Sequence, residues 1–195
     1  MKYLKKIPHA VLIICFSSII FAQSFTPIGV VNPNNYIPEQ KDIAVSPYGM
    51  VTTQHYIATK VGENILKNGG NAYDASIAIS FALAVVLPRA GNIGGGGFMV
   101  IHDKDSNQNY SIDYREKAPK LSSKNMYLDK YGVAIPGKST LGYLSSGVPG
   151  TVAGMWAVHQ KFGSLPWSEL LEPAINLASQ GFTISPYMSD MLIKY

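Results

Sequence analysis

Cysteine is almost missing from this chain of 195 residues: there is one, Cys15, inside the first apolar run. A scaffold stapled by disulfides is therefore excluded. Arginine is nearly as scarce, with Arg89 and Arg115 the only two. Charged residues make up 14% of the chain against 47% hydrophobic ones, so too much apolar side chain must be hidden for the chain to stay disordered. Glycine (18) and proline (12) are too few for a low-complexity or collagen-like protein. No HExxH, CxxC or GxSxG pattern occurs, and His9, His55, His102 and His159 lack the spacing that gathers a metal. Neither a metal nor another cofactor is expected. At this length one folded domain is the natural expectation.

The positive charge is concentrated at the start. Sixteen Lys and Arg face twelve Asp and Glu, a net +4, but Lys2, Lys5 and Lys6 lie in the first six residues. From Gln23 onward thirteen positive residues face twelve negative ones. A clustered basic patch is lacking there, so nucleic acid is excluded as a partner. The basic start is followed by the apolar run Ala10–Ala22, long enough for a signal-peptide core and shorter than the about 18–20 residues that span a bilayer. Residues 1–22 are thus expected to be a cleaved signal peptide, with Ala22 before the cut. Cys15 would leave with it, and the mature protein would be exported to a periplasm or the cell exterior.

Residues 23–47, with Pro27, Pro33, Pro38 and Pro47, read as an extended lead-in segment, and the folded part runs over 48–195. Gly49–Thr53 is a strand candidate. Ile57, Val61, Ile65 and Leu66 have helical spacing over 55–68, and Gly69-Gly70 supplies a left-handed stop. Asn71 caps a second helix over 72–87 that is apolar nearly all round and is therefore buried. Pro88 ends it. Strands are expected over 98–102 and 109–114, joined by a polar turn. Residues 115–147 read as loop. Further helices are expected over 148–162, over 167–180 with an interruption at Pro173, and from Ser185-Pro186 onward. Trp156 and Trp167 are expected in the core. Helices, then strands, then helices again give a layered α/β protein of the α+β kind.

Two stretches carry chemistry. Gly94, Gly95, Gly96 and Gly97 stand between the apolar helix and a strand. Their backbone is free to approach a ligand or another segment closely. A phosphate loop would need Gly-Lys-Ser/Thr and a following helix, whereas Phe98 and a strand come next. The run is either a ligand cradle or a tight crossing of backbone. Asp113-Tyr-Arg-Glu-Lys-Ala-Pro119 ends the second strand. The Arg115 guanidinium can grip a carboxylate with two parallel N–H···O bonds, as suits the α-carboxylate of an amino acid. Asp113 or Glu116 could orient it, or Arg115 could belong to an ordinary surface ion pair. The residues alone disclose no nucleophile.

With these motifs the sequence resembles the γ-glutamyltranspeptidase family, also called glutathione hydrolases. The resemblance rests on Gly49-Met-Val, Gly69-Gly-Asn-Ala-Tyr-Asp-Ala75, Gly94-Gly-Gly-Gly-Phe98, Asp113–Pro119, Gly147-Val-Pro-Gly-Thr-Val-Ala-Gly154 and Glu172-Pro-Ala-Ile175, in family order. It implies an N-terminal-nucleophile hydrolase fold, an αββα sandwich of which only a partial copy is present. It implies a precursor that cuts itself into large and small subunits. The nucleophile is then the threonine that begins the small subunit, its own amine serving as base. Glutathione and other γ-glutamyl compounds would be substrates, and water, amino acids or peptides the acceptors. Arg115 matches the arginine that binds the substrate α-carboxylate, with Glu116 in a supporting role. Only the beginning of the large subunit is matched, and Thr52, Thr53, Thr140 and Thr151 do not match the nucleophile motif. The catalytic threonine is expected beyond Tyr195, and the chain alone is expected to be inactive. A non-catalytic exported binding module for γ-glutamyl or amino-acid ligands, or a fragment without function, are the alternatives.

Overall fold

The computed structural model describes residues 4–6 and 46–194. Most of the expected leader, and the lead-in segment up to Val45, lie outside the described residues. The elements are β1 (Leu4–Lys6), α1 (Tyr56–Lys67), α2 (Ala72–Val86), β2 (Phe98–Asp103), β3 (Gln108–Asp113), α3 (Thr151–Phe162), α4 (Trp167–Gln180) and α5 (Pro186–Lys194). The expected mixture of helices and strands is met, and the strands form a small antiparallel sheet.

Helix α1 starts on His55, whose Nδ1 accepts from the Ile57 N–H at 3.3 Å. It stops where the Gly70 N–H reaches the Ile65 carbonyl and the Gly69 N–H that of Leu66, with Gly69 at φ +91°. That is a Schellman closure, and a residue with a Cβ would be strained at position 69. Helix α2 begins two residues later with a reciprocal cap. The Asn71 side chain accepts from the Tyr73 and Asp74 N–H groups, and Asp74 accepts from the Asn71 N–H at 3.0 Å. Asp74 is fully buried, and its carboxylate also takes the N–H and hydroxyl of Ser164. Asn71 in turn donates its side-chain amide to the Phe162 carbonyl at 2.7 Å. One capping pair thus ties the α3–α4 junction to the start of α2. A buried charge needs such complete satisfaction.

Ala72 is the one exposed residue of α2, so the helix forms the post of the core. Ile77, Ala78, Ala82 and Val86 are fully enclosed, with Met155 and Val158 of α3 and Leu170 of α4. Each of the larger ones, Ile77, Val86, Met155, Val158 and Leu170, contributes about 1.5–3 kcal/mol by leaving water. No helix among the described residues is long and apolar enough to cross a membrane.

The sheet has the order β1-β3-β2, antiparallel throughout, with Phe98 opposite Asp113 and Asp103 opposite Gln108. Alternation sends Ile101 and Ile112 inward, joined by Met99 and Tyr110, onto the helices. On the opposite face Phe98 and Val100 are 64% and 76% exposed.

Four expectations are corrected. Gly49–Thr53 is not a strand: it has no pairing partner among the described residues and is a lead-in to α1. Thr53 Oγ1 accepts from the His55 N–H and lies 2.9 Å from Thr59 Oγ1. The third helix starts at Thr151 and not at 148, because Val148 exchanges backbone bonds with Lys117. Helix α4 runs through Pro173 without interruption, since buried Leu170 and Ala174 fasten both sides of the ring to the core. Trp156 is 46% exposed, lying edge-on to Trp167 at 5.1 Å.

Burial lowers the ring pKa of His55 below 6.5, and only the unprotonated Nδ1 can accept the capping bond. The unfolded chain binds the proton more readily, so stability is complete above pH 6.5 and falls as the pH drops below it. Urea midpoints measured from pH 7.5 to 5 should fall more steeply for the native protein than for His55→Asn, whose cap does not titrate.

Candidate functional site

Three segments distant in sequence meet at the end of β3. The Tyr114 N–H donates to the Gly97 carbonyl at 3.0 Å, which extends the hairpin ladder into the glycine run. The Gly150 and Thr151 N–H groups both donate to the Gly95 carbonyl, at 2.8 and 3.0 Å. Helix α3 has no side-chain cap, and this carbonyl satisfies two of its open donors instead. Lys117 and Val148 close the third side with reciprocal bonds of 3.1 and 2.8 Å.

The glycines make the crossing possible. A methyl group on Gly96 would lie 2.6 Å from the Tyr114 carbonyl oxygen and 2.8 Å from the Arg115 Cα. On Gly150 it would lie 1.9 Å from the same carbonyl oxygen, and on Gly154 2.4 Å from the Tyr114 ring. On Gly97 it would meet that ring at 3.0 Å. Of the four expected glycines, Gly95 contributes its carbonyl, and Gly96 and Gly97 contribute room. Gly94 faces open space.

Arg115 therefore rises from a backbone held on both sides, and its side chain is exposed. Asp113 does not pair with the guanidinium; its Oδ1 accepts from the Arg115 backbone N–H at 3.0 Å and shapes the turn. Glu116 lays its Cβ and Cγ toward Gly147. A cleft of about 170 Å³ opens beside the arginine, lined mainly by apolar groups of Ile112, Tyr114, Val148, Ala153 and Ala157. The arrangement presents a forked cation at the rim of an apolar recess, suited to a carboxylate on a small organic molecule. Three of the threonines serve structure: Thr53 lies beside the α1 cap, Thr140 donates to the Gly137 carbonyl at 3.3 Å, and Thr151 opens α3.

Sequence reasoning passed over Tyr114, Gly150 and Gly154 as parts of this site. The available signal was the spacing of the two glycines, one helical turn apart at the start of α3.

The family model described as Gamma-glutamyltranspeptidase matches residues 58–195. The chain belongs to the γ-glutamyltranspeptidase family. It is 54% identical over 144 residues to the glutathione hydrolase proenzyme of Pseudomonas sp. strain A14, covering 74% of this chain and 25% of that protein. With the corresponding proenzyme of Escherichia coli K12 it shares 46% over 147 residues, covering 75% and 25%. The solved γ-glutamyltranspeptidase of Helicobacter pylori superposes with a TM-score of 0.73 at 49% identity, over 78% of this chain and 43% of that one. The enzyme of Pseudomonas nitroreducens, solved in complex with L-DON, gives 0.70 at 46% identity, over 77% and 44%. The chain spans about a quarter of the length of these curated relatives.

Gly150→Ala should cost about 1–3 kcal/mol, the range for forcing atoms into a filled space. The α3 start must then part from Gly95 or from Tyr114. A urea titration of the variant checks this, with Gly94→Ala, at the open position, as the near-neutral control.

Proposed function

We propose that this chain is the front part of the large subunit of a γ-glutamyltransferase and glutathione hydrolase. The observation that carries the proposal is the placement of Arg115. Its Cα is fixed between the glycine run and α3, its side chain is free to engage a ligand, and an apolar recess lies beside it. The names of the relatives, glutathione hydrolase proenzymes, support the same reading and suggest a precursor that yields a small subunit.

In this reading Arg115 takes the α-carboxylate of a γ-glutamyl amide with two parallel N–H···O bonds. The γ-carbonyl is thereby presented to a threonine hydroxyl supplied by the small subunit. Its terminal amine accepts the hydroxyl proton, and an acyl-enzyme forms as the amine of the leaving fragment departs. Backbone donors stabilise the oxyanion. Water, an amino acid or a peptide then takes the γ-glutamyl group. The apolar face of β2, with Phe98 and Val100 bare, fits a sandwich in which a second sheet covers it, as the αββα arrangement requires. Export remains part of the proposal on the strength of the basic start and the run Ala10–Ala22; the cut would take β1 with the leader and leave β3 at the edge of the sheet, and intact-mass measurement of the secreted protein should give a first residue of Gln23.

Turnover of a γ-glutamyl anilide tests the assignment. The 195 residues alone should show none, since no threonine here matches the nucleophile. In the protein carrying both subunits, Arg115→Lys should raise KM by roughly tenfold or more, because an ammonium lacks the paired fork. An unchanged KM, or clear turnover by the 195-residue chain, would sink the proposal.

A further inference from the structure

We propose that Tyr114 is the positioning residue of this site: its ring, seated on Gly97 and Gly154, fixes the backbone from which Arg115 reaches for a carboxylate. The inference rests on the reading of Arg115 given above and adds the residue that aims it.

Strand alternation places Tyr114 on the inward side, following Tyr110 and Ile112, and so sends Arg115 outward. The inward, half-buried ring then rests against Gly97 from the glycine run and Gly154 from the second turn of α3, where a methyl group on Gly154 would lie 2.4 Å from it. Partial burial raises the phenol pKa of Tyr114 above its ordinary value, in keeping with a ring packed on one side and facing the cleft on the other. The carbonyl of the same residue is wedged between Gly96 and Gly150. Four glycines from two separate motifs therefore surround one side chain and its peptide group. Gly96 and Gly150 are needed for the backbones to pass, whereas Gly97 and Gly154 meet only the Tyr114 side chain and so serve the ring itself.

The consequence is for the arginine. A guanidinium on an exposed arm loses rotamer freedom when it grips a ligand. The cost grows if its own Cα also wanders, and a misplacement of about 1 Å is worth up to roughly a hundredfold in a site of this kind. With Tyr114 seated, the Cα of Arg115 does not move, and the search is left to the side chain alone. Removing the ring would free that Cα without touching the guanidinium. Enlarging Gly154 would push the ring out of its seat, with the same result from the opposite side.

The scarcity of arginine makes the test direct, because the chain gives only two guanidinium signals, Arg89 and Arg115. The full 195-residue chain, labelled with ¹⁵N, is titrated with glutathione and with its glutamyl α-methyl ester while the Arg115 Nε signal is followed. Backbone order parameters are measured alongside. In the native chain and in Tyr114→Phe, glutathione should shift the Arg115 signal and the ester should not. The Arg115 amide should remain rigid, with an order parameter near ~0.85. In Tyr114→Ala and in Gly154→Ala, that order parameter should fall toward ~0.6 and glutathione should bind at least fivefold more weakly. The backbone amide of buried Asp74, bonded to Asn71 at the start of α2 away from the site, should stay in its native position and report an intact fold.

An Arg115 amide that stays rigid, with unchanged titration in both variants, would overturn the proposal. So would loss of the native Asp74 amide signal in both, since Tyr114 would then be a residue of general stability. If the native Arg115 signal ignores glutathione while its amide still loosens in the variants, the carboxylate reading fails and the positioning role stands.

Discussion

The site depends on the absence of four methyl groups. Gly96 and Gly150 allow the Tyr114–Arg115 peptide to lie between a loop and a helix at distances that a Cβ would forbid, and Gly97 and Gly154 leave room for the Tyr114 ring. Without that approach the Gly95 carbonyl would not reach the first N–H groups of α3, and the helix would begin with its donors unmet. Steric room and hydrogen bonding are therefore one constraint: the glycines admit the strand end, and the closeness they permit supplies the helix cap. The entropic cost of glycine in the unfolded chain is offset by the pairing it makes available.

A second junction holds the opposite end of the same helix. Asp74, enclosed completely, accepts from Asn71 and from Ser164, while Asn71 donates to Phe162. The buried helix α2 thus governs where α3 ends, as the glycine run governs where it starts. Between these two fixed points the inner faces of α3 and of the hairpin bury Met155, Val158, Ile101 and Ile112. Both ends of α3 are set by groups far away in sequence, which explains why the helix needs no side-chain cap of its own.

Much of this was legible beforehand. Periodicity and capping residues located α1 and α2 to within a residue or two, because Asn71, Gly69 and Pro88 act through local backbone geometry. The hairpin was equally plain from its alternation. Non-local pairing was harder to read. Val148 looks like a helix start until Lys117 pairs with it, and Pro173 looks like a break until Leu170 and Ala174 hold both sides of it. Gly49–Thr53 has strand composition, but strands need partners. At the site, Arg115 stood out by rarity and chemistry, and the glycine run by composition. Tyr114 did not, since an aromatic residue at a strand end has many ordinary uses. Only the glycines stacked against its ring in three dimensions set it apart. Asp113, one of two residues read as able to orient Arg115, does bond that residue, but through its backbone N–H; spacing cannot tell a carboxylate that pairs with a guanidinium from one that closes a turn onto the same residue's backbone.

The reciprocal bonds between Lys117 and Val148 have a further consequence. Residues 118–147 leave the body at that pair and return to it, so the whole excursion hangs from a narrow neck. Closing a longer loop costs little, about 0.6 kcal/mol for each doubling of length. Insertions, deletions and wholesale rewriting of the excursion should therefore be absorbed outside the neck and leave Arg115 where it is.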